Sequence, residues 1–238
     1  MPMQPVISRT IELDVVDMEV HYMECGRGEP LLLLHGNGED CTYFEHQMSF
    51  FQDGYQVIAV DTRGHGSSSR GTAPFTLGQF ARDLEAFLEA LGIGAASILG
   101  FSDGANVALL FALEHSERVK KLVLNGGNLF PEGLTAQTRR EIGDEWEEAV
   151  SATDERQIEL LRLMIDEPRI DPAQLGNLRI PTLVVAGDND MIEEGHTRLI
   201  ADSIPGARLA IIEGTHYVAA ENPDAFNRVV ADFLASTS

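Results

Sequence analysis

The stretch ASILGFSDGANVALLFALE, from Ala96 to Glu114, constrains this chain more than any other. A short apolar run leads into Gly100-Phe101-Ser102-Asp103-Gly104, and an apolar run at helical length follows without a break. The pattern predicts a strand, a tight turn and a helix, and the turn fits G-x-S-x-G, the nucleophile elbow, in which a serine occupies a strained conformation with its hydroxyl exposed. Glycine two residues either side of Ser102 lets backbone approach closely without a Cβ penalty. The helix that starts behind the serine carries unpaired N–H groups and the positive end of its dipole, so the backbone N–H of Asp103 is placed to hold a developing oxyanion. This arrangement suits acyl transfer.

No Pro/Ser-rich linker, low-complexity tract or internal repeat divides the 238 residues, so a single fold with one large core is expected. The opening MPMQPVISRTIELDVVD lacks the basic and apolar regions of a secretory signal, and no apolar run approaches the ~20 residues of a membrane span. Cys25 and Cys41 need no disulfide to explain them, and a reducing cytoplasm is the expected compartment. A formal charge of −21 repels phosphate backbones and anionic lipid, which argues against nucleic acid and membranes as partners. The charge does not decide the oligomeric state.

Other segments repeat the strand-then-loop design. Ile11 to Glu24 alternates around the turn-prone Asp17, as an antiparallel edge hairpin would. Pro30 to Leu34 is a buried-strand run ending in His35-Gly36-Asn37-Gly38, and Tyr55 to Val60 ends in the polar loop Asp61 to Ser68. Helices are expected at Cys41 to Phe51 and at Thr76 to Leu91, the latter with Thr76 as N-cap and Gly92 as its stop. Strands at Val119 to Leu124, Pro181 to Ala186 and near Arg208 to Ile212, then a helix at Pro223 to Leu234, complete an α/β pattern with a mainly parallel sheet covered on both faces. Residues 128–178 break the rhythm with two helical stretches, Thr135 to Ser151 and Asp154 to Ile165, and no strand. An insertion there lies over the carboxyl ends of the sheet, so it is expected to form a lid, with Trp146, Leu163 and Met164 on its inner face as substrate-contacting residues.

A serine hydroxyl needs a base, and the base needs a carboxylate to orient it. For a serine at such an elbow the chain order is Ser, acid, His, which leaves His196 and His216 among the seven histidines. His196 lies in a polar segment that resembles a surface helix, whereas His216 follows a strand in Gly214-Thr215-His216-Tyr217 and is the expected base. For the acid, Asn125 cannot carry charge, and Asp188 follows its strand too closely to turn toward the histidine. Asp190 is therefore the expected acid and Asp188 its structural partner. The second oxyanion donor is expected from the backbone N–H of Asn37. His35, His65 and Arg63 precede the serine and are read as tying loops together. No metal-binding spacing occurs and no dinucleotide fingerprint follows a strand, so no metal or cofactor is implied.

The segments LLLLHGNG, DTRGHGSS, LGFSDGANVAL, VVAGDND and EGTHYVAAENPDAFN together resemble the α/β-hydrolase superfamily, in family order and over nearly everything except the lid. The resemblance implies an eight-stranded, mostly parallel sheet, a core of residues 1–127 and 179–238 with a helical cap at 128–178, and a triad of Ser102, Asp190 and His216. The expected activity is hydrolysis of a small carboxylic ester through an acyl-enzyme. Carbon–carbon bond hydrolysis or perhydrolysis with the same triad, and a ligand sensor with slow turnover, are the competing readings. The Ser-Asp-Gly of the elbow also resembles the valacyclovir hydrolase branch, which cleaves amino-acid esters. On that reading the Asp103 carboxylate binds a substrate cation; on the plainer one it only favours a helix start.

Overall fold

In the computed structural model, which describes residues 5–13 and 17–236, the chain opens with β1 (Ile7–Leu13) and β2 (Met18–Gly26), an antiparallel pair. The first residues of the opening segment, and residues 14–16 within the expected hairpin turn, lie outside the described residues. The other strands are β3 (Glu29–Leu34), β4 (Tyr55–Val60), β5 (Ala96–Phe101), β6 (Val119–Asn125), β7 (Thr182–Asn189) and β8 (Arg208–Thr215). They form one eight-stranded sheet in the order β1-β2-β4-β3-β5-β6-β7-β8, antiparallel where β2 meets β1 and β4 and parallel everywhere else. The reversal of strand order beside β3 and β5 opens a crevice at their carboxyl ends.

The helices are α1 (Glu45–Phe51), α2 (Leu77–Ala90), α3 (Asp103–Glu114), α4 (Ala136–Ala152), α5 (Glu155–Asp166), α6 (Pro172–Leu175), α7 (Glu194–Ser203), α8 (Val218–Glu221) and α9 (Pro223–Ala235). Alternation along the strands explains why the sheet needs cover on both faces. Leu32, Leu34, Ile58 and Val60 pack with Phe80, Phe87 and Phe111 of α2 and α3 on one side; Leu31, Leu33, Val57 and Ala59 pack with Met48, Phe226 and Phe233 of α1 and α9 on the other. Successive side chains of a strand point to opposite faces, so a run of four leucines, each at most 1% exposed, serves two cores at once. Burial of one such side chain contributes about 1.5–3 kcal/mol.

The helix ends follow the sequence closely. Thr76 Oγ1 accepts the Gln79 N–H at 3.1 Å, and α2 stops where Gly92, at φ +67°, lets its own N–H reach Glu89 O and the Ile93 N–H reach Leu88 O, both at 2.9 Å. Among the described residues no helix is long and apolar enough to cross a membrane.

Arg63, expected to tie loops, is fully buried and donates to both carboxylate oxygens of Asp83 on α2 at 2.7 Å, and to Arg70 O at 3.0 Å. A buried ion pair adds little net stability, but removing one partner strands the other charge. Asp83→Leu is expected to destabilise the protein by about 3–5 kcal/mol in denaturant unfolding. The double change Arg63→Met with Asp83→Leu should recover most of that loss. Equal losses for the single and double variants would show that the packing, rather than the orphaned guanidinium, sets the cost.

Residues 126–181 join β6 to β7 and contain α4, α5 and α6. Thr135 and Asp154 accept N–H groups from the first turns of α4 and α5, at 3.2 and 3.0 Å. The two helices share a separate cluster of Leu134, Ile142, Ala149, Leu161 and Ile192, against which Trp146, Met164 and Met191 pack.

Candidate active site

Ser102 joins β5 to α3 with φ +53° and ψ −120°, a conformation that non-glycine residues rarely adopt. Its N–H donates to Asn125 O at 2.8 Å, and its carbonyl accepts from Ala105 and Asn106 at 2.9 and 3.1 Å, so the turn is fixed from both sides. The flanking glycines are required by space. A Cβ at Gly100 would overlap the Gly104 carbonyl, and one at Gly104 would overlap the Leu34 carbonyl of the neighbouring strand.

Asp190 and His216 come together from the loops after β7 and β8. His216 Nδ1 lies 2.7 Å from Asp190 Oδ1, with side chains 5% and 3% exposed. An ionised carboxylate only accepts, so Nδ1 carries the proton and Nε2 is the free lone pair. Nε2 is buried and has no hydrogen-bond partner among the described residues, and His216 lines one cavity of about 260 Å³ together with Ser102. Gly126 makes room for this pair. At φ +62° it lies against the imidazole, and a Cβ there would come 2.7 Å from His216 Cε1.

Asp188 is exposed and accepts the Gly214 N–H at 3.0 Å, which ties the ends of β7 and β8 just ahead of Asp190 and His216. His35 and His65 are buried in loops, as expected. His35 Nδ1 donates to Gly36 O at 2.7 Å and Nε2 accepts the Thr62 N–H at 3.0 Å, while His65 Nδ1 donates to Arg63 O at 3.0 Å. Desolvation lowers the pKa of both, that of His65 to about 3, so both are neutral struts.

Asn37 and Ser102 line the same cavity. Its backbone N–H and that of Asp103 have no backbone acceptor among the described residues; Asp103 is the first residue of α3, where none is available within the helix. The Asn37 side chain does more than the sequence foretold. Nδ2 donates to Asp103 Oδ2 at 2.9 Å and to Leu160 O at 3.0 Å, joining the loop after β3 to both α3 and α5.

Three of the residues expected to contact substrate do not line this cavity. The Asp103 carboxylate is 9% exposed, receives Asn37 and, at 3.5 Å, Asn106, and is not among the groups that line the cavity. Burial raises its pKa, and the Asn37 and Asn106 amides pull against that shift. Leu163 is 1% exposed and turns into the main core beneath α5. Trp146 packs inside the α4–α5 cluster, with the Arg162 guanidinium 5.8 Å from its ring, and does not reach the cavity wall. Met164 does line the cavity, with Ile142, Leu160 and Leu161 from the same helices. His196, read as a surface residue, is 7% exposed, because its Nε2 accepts the Leu129 N–H at 2.9 Å and Phe130 packs edge-on against it.

One group the sequence reading missed is Glu39, two residues beyond Asn37. It lines the cavity, its Oε2 is buried without a partner, and burial pushes its pKa up to about 7 against the opposing pull of the Gly36 amide and His216. An acidic residue directly after His-Gly-Asn-Gly was the available clue.

Strand order, elbow and the loops converging on Ser102 define an α/β-hydrolase fold, and the family model described as alpha/beta hydrolase fold matches residues 29–159. The chain belongs to the α/β-hydrolase family. It is a hydrolase of that fold, and its curated relatives span several chemistries. It is 27% identical to the putative carbamate hydrolase RutD of Azorhizobium caulinodans, covering 91% of this chain and 95% of the relative. It is 26% identical to 3-oxoadipate enol-lactonase 2 of Acinetobacter baylyi, covering 95% and 97%. With the 2-hydroxy-6-oxo-6-phenylhexa-2,4-dienoate hydrolase of Comamonas testosteroni it shares 28% identity over 94% of this chain and 93% of the relative.

Proposed function

We propose that this hydrolase cleaves a small carboxylic ester through an acyl-enzyme on Ser102. The observation that carries the reading is the unpartnered Nε2 of His216, held by Asp190 and opening on the cavity that Ser102 lines. In the first step Ser102 Oγ attacks the acyl carbon while His216 Nε2 takes its proton, and the resulting imidazolium is held by Asp190. The Asn37 and Asp103 backbone N–H groups stabilise the tetrahedral oxyanion. Collapse breaks the bond to the alcohol oxygen, which leaves with the proton from His216. Water then repeats the sequence, with His216 taking its proton, and releases the carboxylic acid and free Ser102.

Residues 128–178 act as the cap in this reading, because α4 and α5 supply Thr138, Ile142, Leu160 and Met164 to the cavity wall. The dienoate hydrolase relative keeps a carbon–carbon reading in view. The side chains around the cavity favour an ester over such an acid: three carboxylates and no Lys or Arg line it among the described residues. A turnover panel of short, long and aromatic esters beside a vinylogous diketone acid tests the choice. Ester hydrolysis without diketone cleavage is expected, and the reverse would select the carbon–carbon reading.

A further inference from the structure

The cavity over Ser102 is electrostatically one-sided. Glu39 lines it from the loop after β3, Glu141 and Glu145 line it from α4, and no basic side chain lines it among the described residues. Acidic groups at a rim are ordinary, but Glu39 differs from them. Its Oε2 is shielded from solvent and accepts no hydrogen bond, which is an expensive arrangement for a carboxylate oxygen. His216, 4% exposed, lines the same cavity and carries an unpartnered Nε2 of its own. Two residues that each carry a buried, unpartnered polar atom line this one cavity, and the second is independent of the carboxylates.

We infer that the cavity selects esters carrying a positively charged nitrogen, with Glu39 as the side chain that holds that charge. The inference rests on the ester-hydrolase reading for what the bound molecule undergoes, and on the cavity alone for what is bound. A protonated amine supplies the donors that Glu39 Oε2 lacks, and a charge-assisted hydrogen bond in a largely desolvated place is stronger than one in water. Glu141 and Glu145 extend the negative field to the mouth, and the chain's net charge of −21 draws cations toward it. The Asp103 carboxylate is excluded from this role because Asn37 and Asn106 already hold it.

The pH behaviour follows from the surroundings of Glu39. His216 favours its ionised form, Asp40 opposes it, and Tyr43 and Tyr217 are near enough to feel its charge, with Glu141 and Glu145 lining the same cavity. Protonated Glu39 attracts a cation weakly and ionised Glu39 strongly. Affinity for a cationic ester is therefore expected to strengthen as pH rises through about 7, the value to which burial brings this carboxyl.

The test uses two aryl acetates of matched shape, 4-(aminomethyl)phenyl acetate and 4-ethylphenyl acetate, the first charged throughout pH 5–8. The expected result is a kcat/KM ratio of at least ~10 in favour of the aminomethyl ester at pH 8, carried by KM, that shrinks toward pH 5.5. In Glu39→Gln that ratio should fall toward one at every pH, and in Glu39→Asp part of it should return; unchanged thermal melting shows that each variant is folded. Binding of both esters to Ser102→Ala protein, measured by calorimetry, reads the same selection without turnover. A ratio near one in both kinetics and binding, or a ratio that survives Glu39→Gln, overturns the inference. Absence of turnover on both esters would instead contradict the ester-hydrolase reading, and the binding ratio would then decide the inference by itself.

Discussion

Ester turnover by Ser102→Ala is expected to fall by ~10⁴ to 10⁶ in kcat, while the melting temperature stays within a few degrees of the parent protein. The asymmetry follows from what the hydroxyl touches. Ser102 is tied into the fold through its backbone, by the Asn125 carbonyl ahead of it and the Ala105 and Asn106 amides behind it. Its side chain faces the cavity that His216 also lines. Alanine keeps the φ of +53° at the same steric cost as serine, so the elbow has no reason to relax. What disappears is the only oxygen that can carry the acyl group in the proposed reaction. A kcat loss of less than tenfold would show that the acyl group is carried elsewhere; a collapse of the melting temperature would show that the hydroxyl is structural.

The second large effect is a contrast between two aspartates at the carboxyl end of β7. Asp190→Asn is expected to lower kcat by ~10⁴, and Asp188→Asn by less than about tenfold. Asp190 Oδ1 receives both His216 Nδ1 and the Ile192 N–H, at 2.7 and 3.0 Å, inside a site where its side chain is 3% exposed. Replacing it with an amide removes the charge that stabilises the imidazolium, and an amide nitrogen turned toward Nδ1 would move the ring proton to Nε2, where it blocks proton uptake from Ser102. Asp188 only accepts the Gly214 N–H at an exposed position, a bond that an asparagine oxygen can keep. The order of the two effects, measured as kcat on one ester, checks the assignment. The opposite order would make Asp188 the orienting acid.

The frame was legible because its signals are local. Four leucines between Pro30 and His35 fit only a strand covered on both faces, and Tyr55 to Val60 is a strand at the bounds its sequence suggests. Glycines at 100 and 104 announced the elbow because no other residue fits against the Gly104 and Leu34 carbonyls. Where the sequence misled, the deciding partner lay far along the chain. His196 sits in a polar helix and is nonetheless buried, because Leu129, 67 residues away, offers it an N–H. Asp103 looked open to substrate, but Asn37, 66 residues earlier, turns it inward. The apolar surplus of α5 was visible without its meaning: Leu163 feeds the main core while Leu160, Leu161 and Met164 reach the cavity. The short helix α6 gave too few residues to show a period, and the start of β1 at Ile7 was hidden because that edge strand is mostly exposed and carries little alternation.

The Asn37 side chain also fastens the loop after β3 to α5. Asn37 Nδ2 is shared between Asp103 on the elbow helix and Leu160 on α5, so the segment that lines the cavity from above is fastened to the loop that is proposed to hold the oxyanion. Glu39, on the same loop, lines the cavity and carries an unsatisfied carboxylate oxygen.

The central claim is that Ser102 carries the acyl group, and the most direct measurement is mass spectrometry of the protein quenched in acid during turnover of a slowly deacylated aryl ester. The account expects an adduct of acyl mass on the peptide containing Ser102, absent from Ser102→Ala and formed far more slowly in His216→Ala, for which Nε2 is no longer present to take the proton. Steady ester turnover with no adduct at Ser102, or with the acyl group found on another residue, would contradict it.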